Sequence, residues 1–253
     1  MARIIAVANQ KGGVGKTTTA INLGAALAVA EKRTLIVDAD PQSNSTRGLG
    51  FGPDAERASL YDSLMDGAVT SLPILETAIL HLKLLPADRD LLGAEIELVQ
   101  VPDREKRMAA LLAPVREDFD FILIDCPPSL GLLTLNALVA ADGLLIPVQC
   151  EYLALEGLSE VLGTLQRVAS TLNQKLVLEG VLLTMFDDRT NLARQVSDEI
   201  RQHLGAKVYR TQIPRNVRLG EAPSFGKSII DYDIRSKGAE AYMALAREII
   251  ERC

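Results

Sequence analysis

Three observations predict an α/β fold with a doubly wound, mostly parallel sheet and helices on both faces. Short apolar runs alternate with amphipathic stretches from one end of the 253 residues to the other. A glycine-rich loop stands between the first apolar run and the first helical stretch, and two later apolar runs end in aspartate. No Pro/Gly/Ser-rich linker, repeat or low-complexity run breaks the alternation, so one domain is expected over residues 1–253.

Ile4-Ile5-Ala6-Val7-Ala8 reads as a short buried strand, and Ala20 to Ala30, rich in alanine and leucine, as a helix. Between them runs Asn9-Gln10-Lys11-Gly12-Gly13-Val14-Gly15-Lys16-Thr17-Thr18-Thr19. Strand, glycine loop, Gly-Lys-Thr and helix are the context that a phosphate-binding loop requires. Gly12, Gly13 and Gly15 let the backbone N–H groups from Gly12 to Thr18 turn inward around phosphates, and the helix N-terminus adds its dipole. Lys16 then reaches the β- and γ-phosphates, and the Thr17 hydroxyl ligates Mg²⁺. Gln10 stands where the strict G-x-x-x-x-G-K-[ST] pattern has its first glycine. The loop is therefore the deviant K-G-G-x-G-K-T form, with a second lysine, Lys11, at its start.

Thr34-Leu35-Ile36-Val37 is a second apolar strand that runs into Asp38-Ala39-Asp40-Pro41. Carboxylates at a strand's C-terminal end lie where open α/β sheets bind ligands, so Asp38 or Asp40 is placed to hold Mg²⁺ through water or to orient an attacking water. Residues 42–60 are polar and glycine-rich and read as a mobile loop over the site. Ser59 to Asp66 and Pro73 to Ile79 read as short helices, His81 to Leu85 as a strand, and Arg104 to Arg116 as a helix. Phe121-Ile122-Leu123-Ile124-Asp125 has the form of a Walker B strand, whose aspartate supports the water shell of Mg²⁺. Cys126-Pro127-Pro128-Ser129 follows it as a stiff turn suited to sensing a γ-phosphate. Further on, the pattern gives a helix at Leu132 to Ala140 and a strand at Leu144 to Val148. A helix at Glu151 to Leu172, a strand at Val177 to Thr184 and a helix at Thr190 to Leu204 come next. A strand at Lys207 to Ile213 and a helix at Ser236 to Arg252 end the series.

Composition narrows the function classes. Net charge is −6, which argues against an overall basic nucleic-acid binder. The charge is uneven: from Asp187 to Lys237 there are ten Lys/Arg against seven Asp/Glu, and between Arg201 and Arg218 five basic residues and no acidic one. A local basic patch is expected there. Cys126, Cys150 and Cys253 are far apart and form no C-x-x-C pair, which points to a reducing compartment and to small buried residues rather than metal ligands. No run approaches the ~18 apolar residues of a membrane span, and no signal peptide is legible, so a cytoplasmic protein is expected.

Taken together and in order, Lys11 to Thr18, Asp38-Ala-Asp-Pro41, Asp125-Cys-Pro-Pro-Ser129, Gln149-Cys-Glu-Tyr152 and Ile213-Pro-Arg-Asn-Val-Arg218 resemble the ParA/Soj chromosome- and plasmid-partitioning ATPases. These belong to the deviant Walker A group of P-loop NTPases, which also contains MinD. The resemblance runs from residue 2 to about residue 250. It implies slow ATP hydrolysis with Mg²⁺ in a homodimer that sandwiches two ATP molecules, Lys11 of each subunit reaching the phosphates held by the other. Such a cation in trans acts as an arginine finger does, and Gly12 allows the partner's close approach. Asp40 positions the hydrolytic water and Asp125 supports Mg²⁺. Glu151 joins the nucleotide-binding set, and Pro214, Arg215 and Asn216 hold the base.

The family's DNA-bound form uses arginines on a surface shared by the two subunits, and Arg189 and Arg218 match those positions. Non-specific double-stranded DNA, a ParB-like partition-site-binding protein and association with the nucleoid when ATP is bound are all implied. A MinD-like membrane-associated positioning ATPase is the alternative. The closing helix mixes acidic with basic residues and lacks the basic face that a membrane anchor wants, so it is expected to pack on the sheet and no stable membrane association is expected. The first strand begins at residue 3, so no N-terminal helix-turn-helix domain is expected.

Overall fold

The computed structural model describes residues 1–54, 56–66 and 72–252; Cys253 lies outside the described residues. Eight strands form one sheet: β1 (Arg3–Val7), β2 (Thr34–Asp38), β3 (Leu75–Glu76), β4 (Leu82–Leu85), β5 (Phe121–Asp125), β6 (Gly143–Gln149), β7 (Val177–Phe186) and β8 (Val208–Pro214). Their order is β3-β4-β2-β5-β1-β6-β7-β8, and every pairing is parallel except the edge pair β3–β4. The predicted doubly wound α/β fold is present.

Strand burial explains the composition of the runs. β2 and β5 are buried along their whole length, because helices cover both faces of the sheet. Alternate strand residues face opposite layers. Ile4, Ala6, Leu35, Val37, Ile122 and Ile124 pack with α3 (Leu60–Asp66), α4 (Leu91–Glu97), α5 (Arg107–Leu112), α6 (Leu132–Ala140), α7 (Ala154–Thr171) and α8 (Asn191–Leu204). Ile5, Val7, Ile36 and Leu123 pack with α1 (Lys16–Val29), α10 (Ile229–Asp233) and α11 (Lys237–Arg252). α1 lies so close to the sheet that a Cβ at Gly24 would stand 2.7 Å from the Ile36 Cδ1. The apolar face of α11 (Ala239, Tyr242, Leu245, Ala246, Ile249) is buried in that layer, as expected.

Three expectations fail locally. Pro73 to Ile79 is not a helix: Leu75 and Glu76 pair antiparallel with Leu84 and Lys83, and Glu76 meets the Lys83 ammonium at 2.5 Å. The Thr77 hydroxyl then turns the chain by donating to the Leu82 carbonyl at 2.8 Å. The polar segment after Asp40 contains a helix, α2 (Asn44–Gly48), with Ser45 and Thr46 buried. The helix expected at Arg104 to Arg116 is shorter, a 3₁₀ turn at Arg104–Lys106 followed by α5.

Candidate nucleotide site

Parallel register brings the site together. Val7 and Asp38 both pair with Asp125, so β1, β2 and β5 end level beside the loop that leaves β1. Gly13 (φ +75°) and Gly15 (φ +88°) adopt left-handed backbone that only glycine takes at low cost. The loop is braced from both sides. The Asn9 amide donates to the Pro147 carbonyl at 2.7 Å, and its oxygen accepts from the Lys11 N–H at 3.0 Å. On the far side the Thr184 hydroxyl donates to the Val14 carbonyl at 2.8 Å.

A cleft of about 480 Å³ opens over this loop. Gly12, Gly13, Gly15, Lys16, Thr17 and Thr18 line it together with Asp40, Pro214, Arg215 and Asn216. The predicted phosphate and base residues, far apart in sequence, thus line one cavity. Asn216 also caps α9 (Val217–Glu221), its side-chain oxygen accepting from the Arg218 N–H at 2.8 Å.

Three carboxylates stand behind the loop and differ in what they can do. Asp38 is fully buried and engaged: one oxygen accepts from the Thr46 N–H (2.8 Å) and hydroxyl (2.7 Å), the other from the Asp40 N–H (3.2 Å). Its role is to hold α2. Asp40 reaches the cleft, one oxygen accepting from the Gln42 N–H at 2.9 Å. Of the two carboxylates left open by the sequence, Asp40 is the one that lines the cleft.

Asp125 is fully buried; Oδ2 accepts from the Ser45 hydroxyl at 2.8 Å, while Oδ1 has no hydrogen-bond partner. Burial pushes its pKa well above the usual carboxylate range, the Asp38 carboxylate adds to the rise, and the Ser45 and Thr17 hydroxyls oppose it. Lys16 is the cation beside these carboxylates. Burial lowers its pKa, and Asp125 and Asp40 counter the shift.

An orphaned, buried carboxylate oxygen beside a phosphate loop and a cleft-lining threonine suits Mg²⁺, a hard cation that keeps much of its water shell and takes few protein ligands. No group of three or more His, Cys, Asp or Glu among the described residues is arranged to hold a metal alone.

Other predicted residues lie outside the cleft. The Lys11 ammonium meets the Glu151 carboxylate at 2.6 Å on the exposed rim. Val14 is buried under the loop. Arg189 is forked onto Asp187 (2.7 and 2.8 Å). Arg218 pairs with Glu221 at 3.0 Å and Asp233 at 3.8 Å. The acid-free basic window does not fold into one patch. Arg201, Lys207 and Arg210 gather where β8 begins, beside Glu248 and Glu251, whereas Arg215 and Arg218 follow its far end. Cys126 and Cys150 are buried; burial raises both thiol pKa values, that of Cys150 to about 11.

Comparison with known proteins fits this geometry. A family model described as an AAA domain matches residues 2–178. The chain is 54% identical to the chromosome partitioning protein ParA of Myxococcus xanthus, over 99% of this chain and 88% of that protein. It is 56% identical to the sporulation initiation inhibitor protein Soj of Bacillus subtilis, over 98% of each. The chain belongs to the ParA/Soj family of partitioning ATPases. Among solved structures, a Mycobacterium smegmatis protein described as cobyrinic acid a,c-diamide synthase, with bound ADP and magnesium, is 39% identical over 100% of this chain and 95% of that one, with a TM-score of 0.86. Against this family background, the residues that sequence reasoning missed are Ser45 and Thr46, which grip the buried aspartates, and Thr184 and Tyr242. The Tyr242 hydroxyl lies 3.2 Å from that of Thr19 and ties α11 to α1.

Proposed function

We propose that residues 1–253 act as one ATP-dependent DNA-segregation ATPase whose ATP-bound homodimer holds DNA without sequence specificity until a ParB-like partner stimulates hydrolysis. The observation that carries this reading is the single cleft joining the deviant phosphate loop, Asp40 and Pro214–Asn216, with Lys11 held outside it on Glu151.

In this reading the N–H groups from Gly12 to Thr18 and the Lys16 ammonium bind the phosphates, and Pro214, Arg215 and Asn216 receive the base. The Thr17 hydroxyl, and Asp125 through water, would hold Mg²⁺, which when bound would supply charge neutralisation at the phosphates. Asp40 accepts a hydrogen bond from the attacking water and orients it. Lys11 exchanges Glu151 for the partner's phosphates. Both partners of that ion pair are nearly half exposed, so the pair stabilises little and its exchange costs little. Dimerisation thereby depends on a polyanion between two cationic loops. Arg189 and Arg218 exchange their carboxylate partners for DNA phosphates, and two copies of each suffice for weak, salt-sensitive binding at an acidic net charge.

Asp40→Ala is expected to bind ATP but lower hydrolysis by about 100-fold or more, as loss of a water-positioning carboxylate does. Light scattering on this variant should give a doubled mass with ATP and a monomer with ADP, and adding Lys11→Ala should return it to a monomer with ATP. A monomer under every nucleotide condition would overturn the dimer mechanism.

A further inference from the structure

Resting on the assignment of Asp125 to the water shell of Mg²⁺, we infer that Ser45 is a positioning residue for the metal: it holds the Asp125 carboxylate so that Oδ1 is left for that water shell. Ser45 is completely buried, and its hydroxyl donates to Oδ2 at 2.8 Å. The other oxygen of the same carboxylate is buried with no partner. A buried carboxylate satisfied at one oxygen and bare at the other is costly unless something binds the bare one. Such an arrangement suits an outer partner that orients a metal-supporting group. Without the hydroxyl, Oδ2 loses the donor that fixes the orientation of the carboxylate.

Thr46 gives an internal control. It makes the same kind of bond from the next residue of α2, but to Asp38, whose oxygens are both engaged by protein donors. Its hydroxyl also accepts from the Ala87 N–H at 3.0 Å, tying α2 to the start of the α4 segment. Thr46 therefore fastens the helix, and Ser45 tunes the metal carboxylate.

The test is calorimetric titration with a non-hydrolysable ATP analogue, with Mg²⁺ and with EDTA, on the full chain. The quantity read is the factor by which Mg²⁺ tightens binding. In Ser45→Ala that factor should fall about tenfold, the scale of losses when a metal ligand's hydrogen-bond partner is removed, while affinity in EDTA stays within about twofold. Ser45→Thr, which keeps the hydroxyl, should recover much of the factor. Thr46→Val should lower the melting temperature yet keep the factor. An unchanged factor in Ser45→Ala, or an equal fall in Thr46→Val, would overturn the inference. A wild type that shows no tightening by Mg²⁺ would instead overturn the metal assignment itself.

Discussion

Lys16→Ala should weaken ATP binding by at least about 100-fold, or ~3 kcal/mol, and abolish measurable hydrolysis. The lysine is nearly buried under the loop, where an ammonium is costly unless its charge is used. Among the described residues it makes one hydrogen bond, to the Lys11 carbonyl at 3.1 Å, although it carries three donors. Burial lowers its pKa, and Asp125 and Asp40 oppose that shift only in part. Such a cation is poised for an anion, and phosphate supplies it. Calorimetry reads the affinity, and an unchanged far-UV circular dichroism spectrum separates loss of the site from loss of the fold. Retention of affinity within about threefold would remove Lys16 from the phosphate site.

Asp125→Asn should have two opposite effects. Hydrolysis in Mg²⁺ should fall by about 100-fold or more, because the carboxylate that supports the metal is gone. The nucleotide-free protein, however, should become more stable at pH 8, by roughly 1–3 kcal/mol. The sign follows from the raised pKa of Asp125 in the folded protein. An unfolded aspartate releases its proton near pH 4, whereas the folded one keeps it to higher pH. Between those values the folded state binds more protons, so stability falls as pH rises. Asp38, also raised by burial, to about 6, contributes with the same sign over a narrower range. The wild type without nucleotide should therefore melt lower at pH 8 than at pH 6, and Asp125→Asn should flatten that slope. A variant less stable than wild type at pH 8, with the slope intact, would mean that Asp125 is a paired structural carboxylate.

What could be read from the sequence follows the physics of each signal. Strands buried on both faces announce themselves as apolar runs, which is why β1, β2, β5 and β6 are found within a residue or so of their expected positions. The phosphate loop is legible because its chemistry needs particular residues in consecutive positions. Short helices with weak periodicity escape: α4, α9 and α10 carry only a few buried residues each. β3 is two residues long, and the run Ile74-Leu75-Glu76-Thr77 does not favour helix or strand strongly without its partner β4. Ser45 and Thr46 sit in a stretch whose polarity suggested solvent, but their hydroxyls face buried carboxylates instead. Polarity alone does not say which way a side chain turns.

The basic window from Arg201 to Arg218 illustrates the same limit. It is continuous in sequence, yet β8, seven residues long, separates its halves by ~20 Å. Local charge density along the chain is not charge density in space. Arg218 remains a candidate because it follows the strand end next to the cleft, where Asn216 both lines the cavity and caps the helix that carries Arg218. Cleft and arginine are thus joined by one short segment.

The most direct test of the partition reading is the binding of Asp40→Ala to random-sequence double-stranded DNA, with ATP or ADP, at two salt concentrations. Binding is expected with ATP only, indifferent to sequence, weaker at high salt, and lost in Asp40→Ala combined with Arg218→Glu. An ATP-loaded dimer that ignores DNA at low salt would contradict the reading and send the search for its surface to membranes.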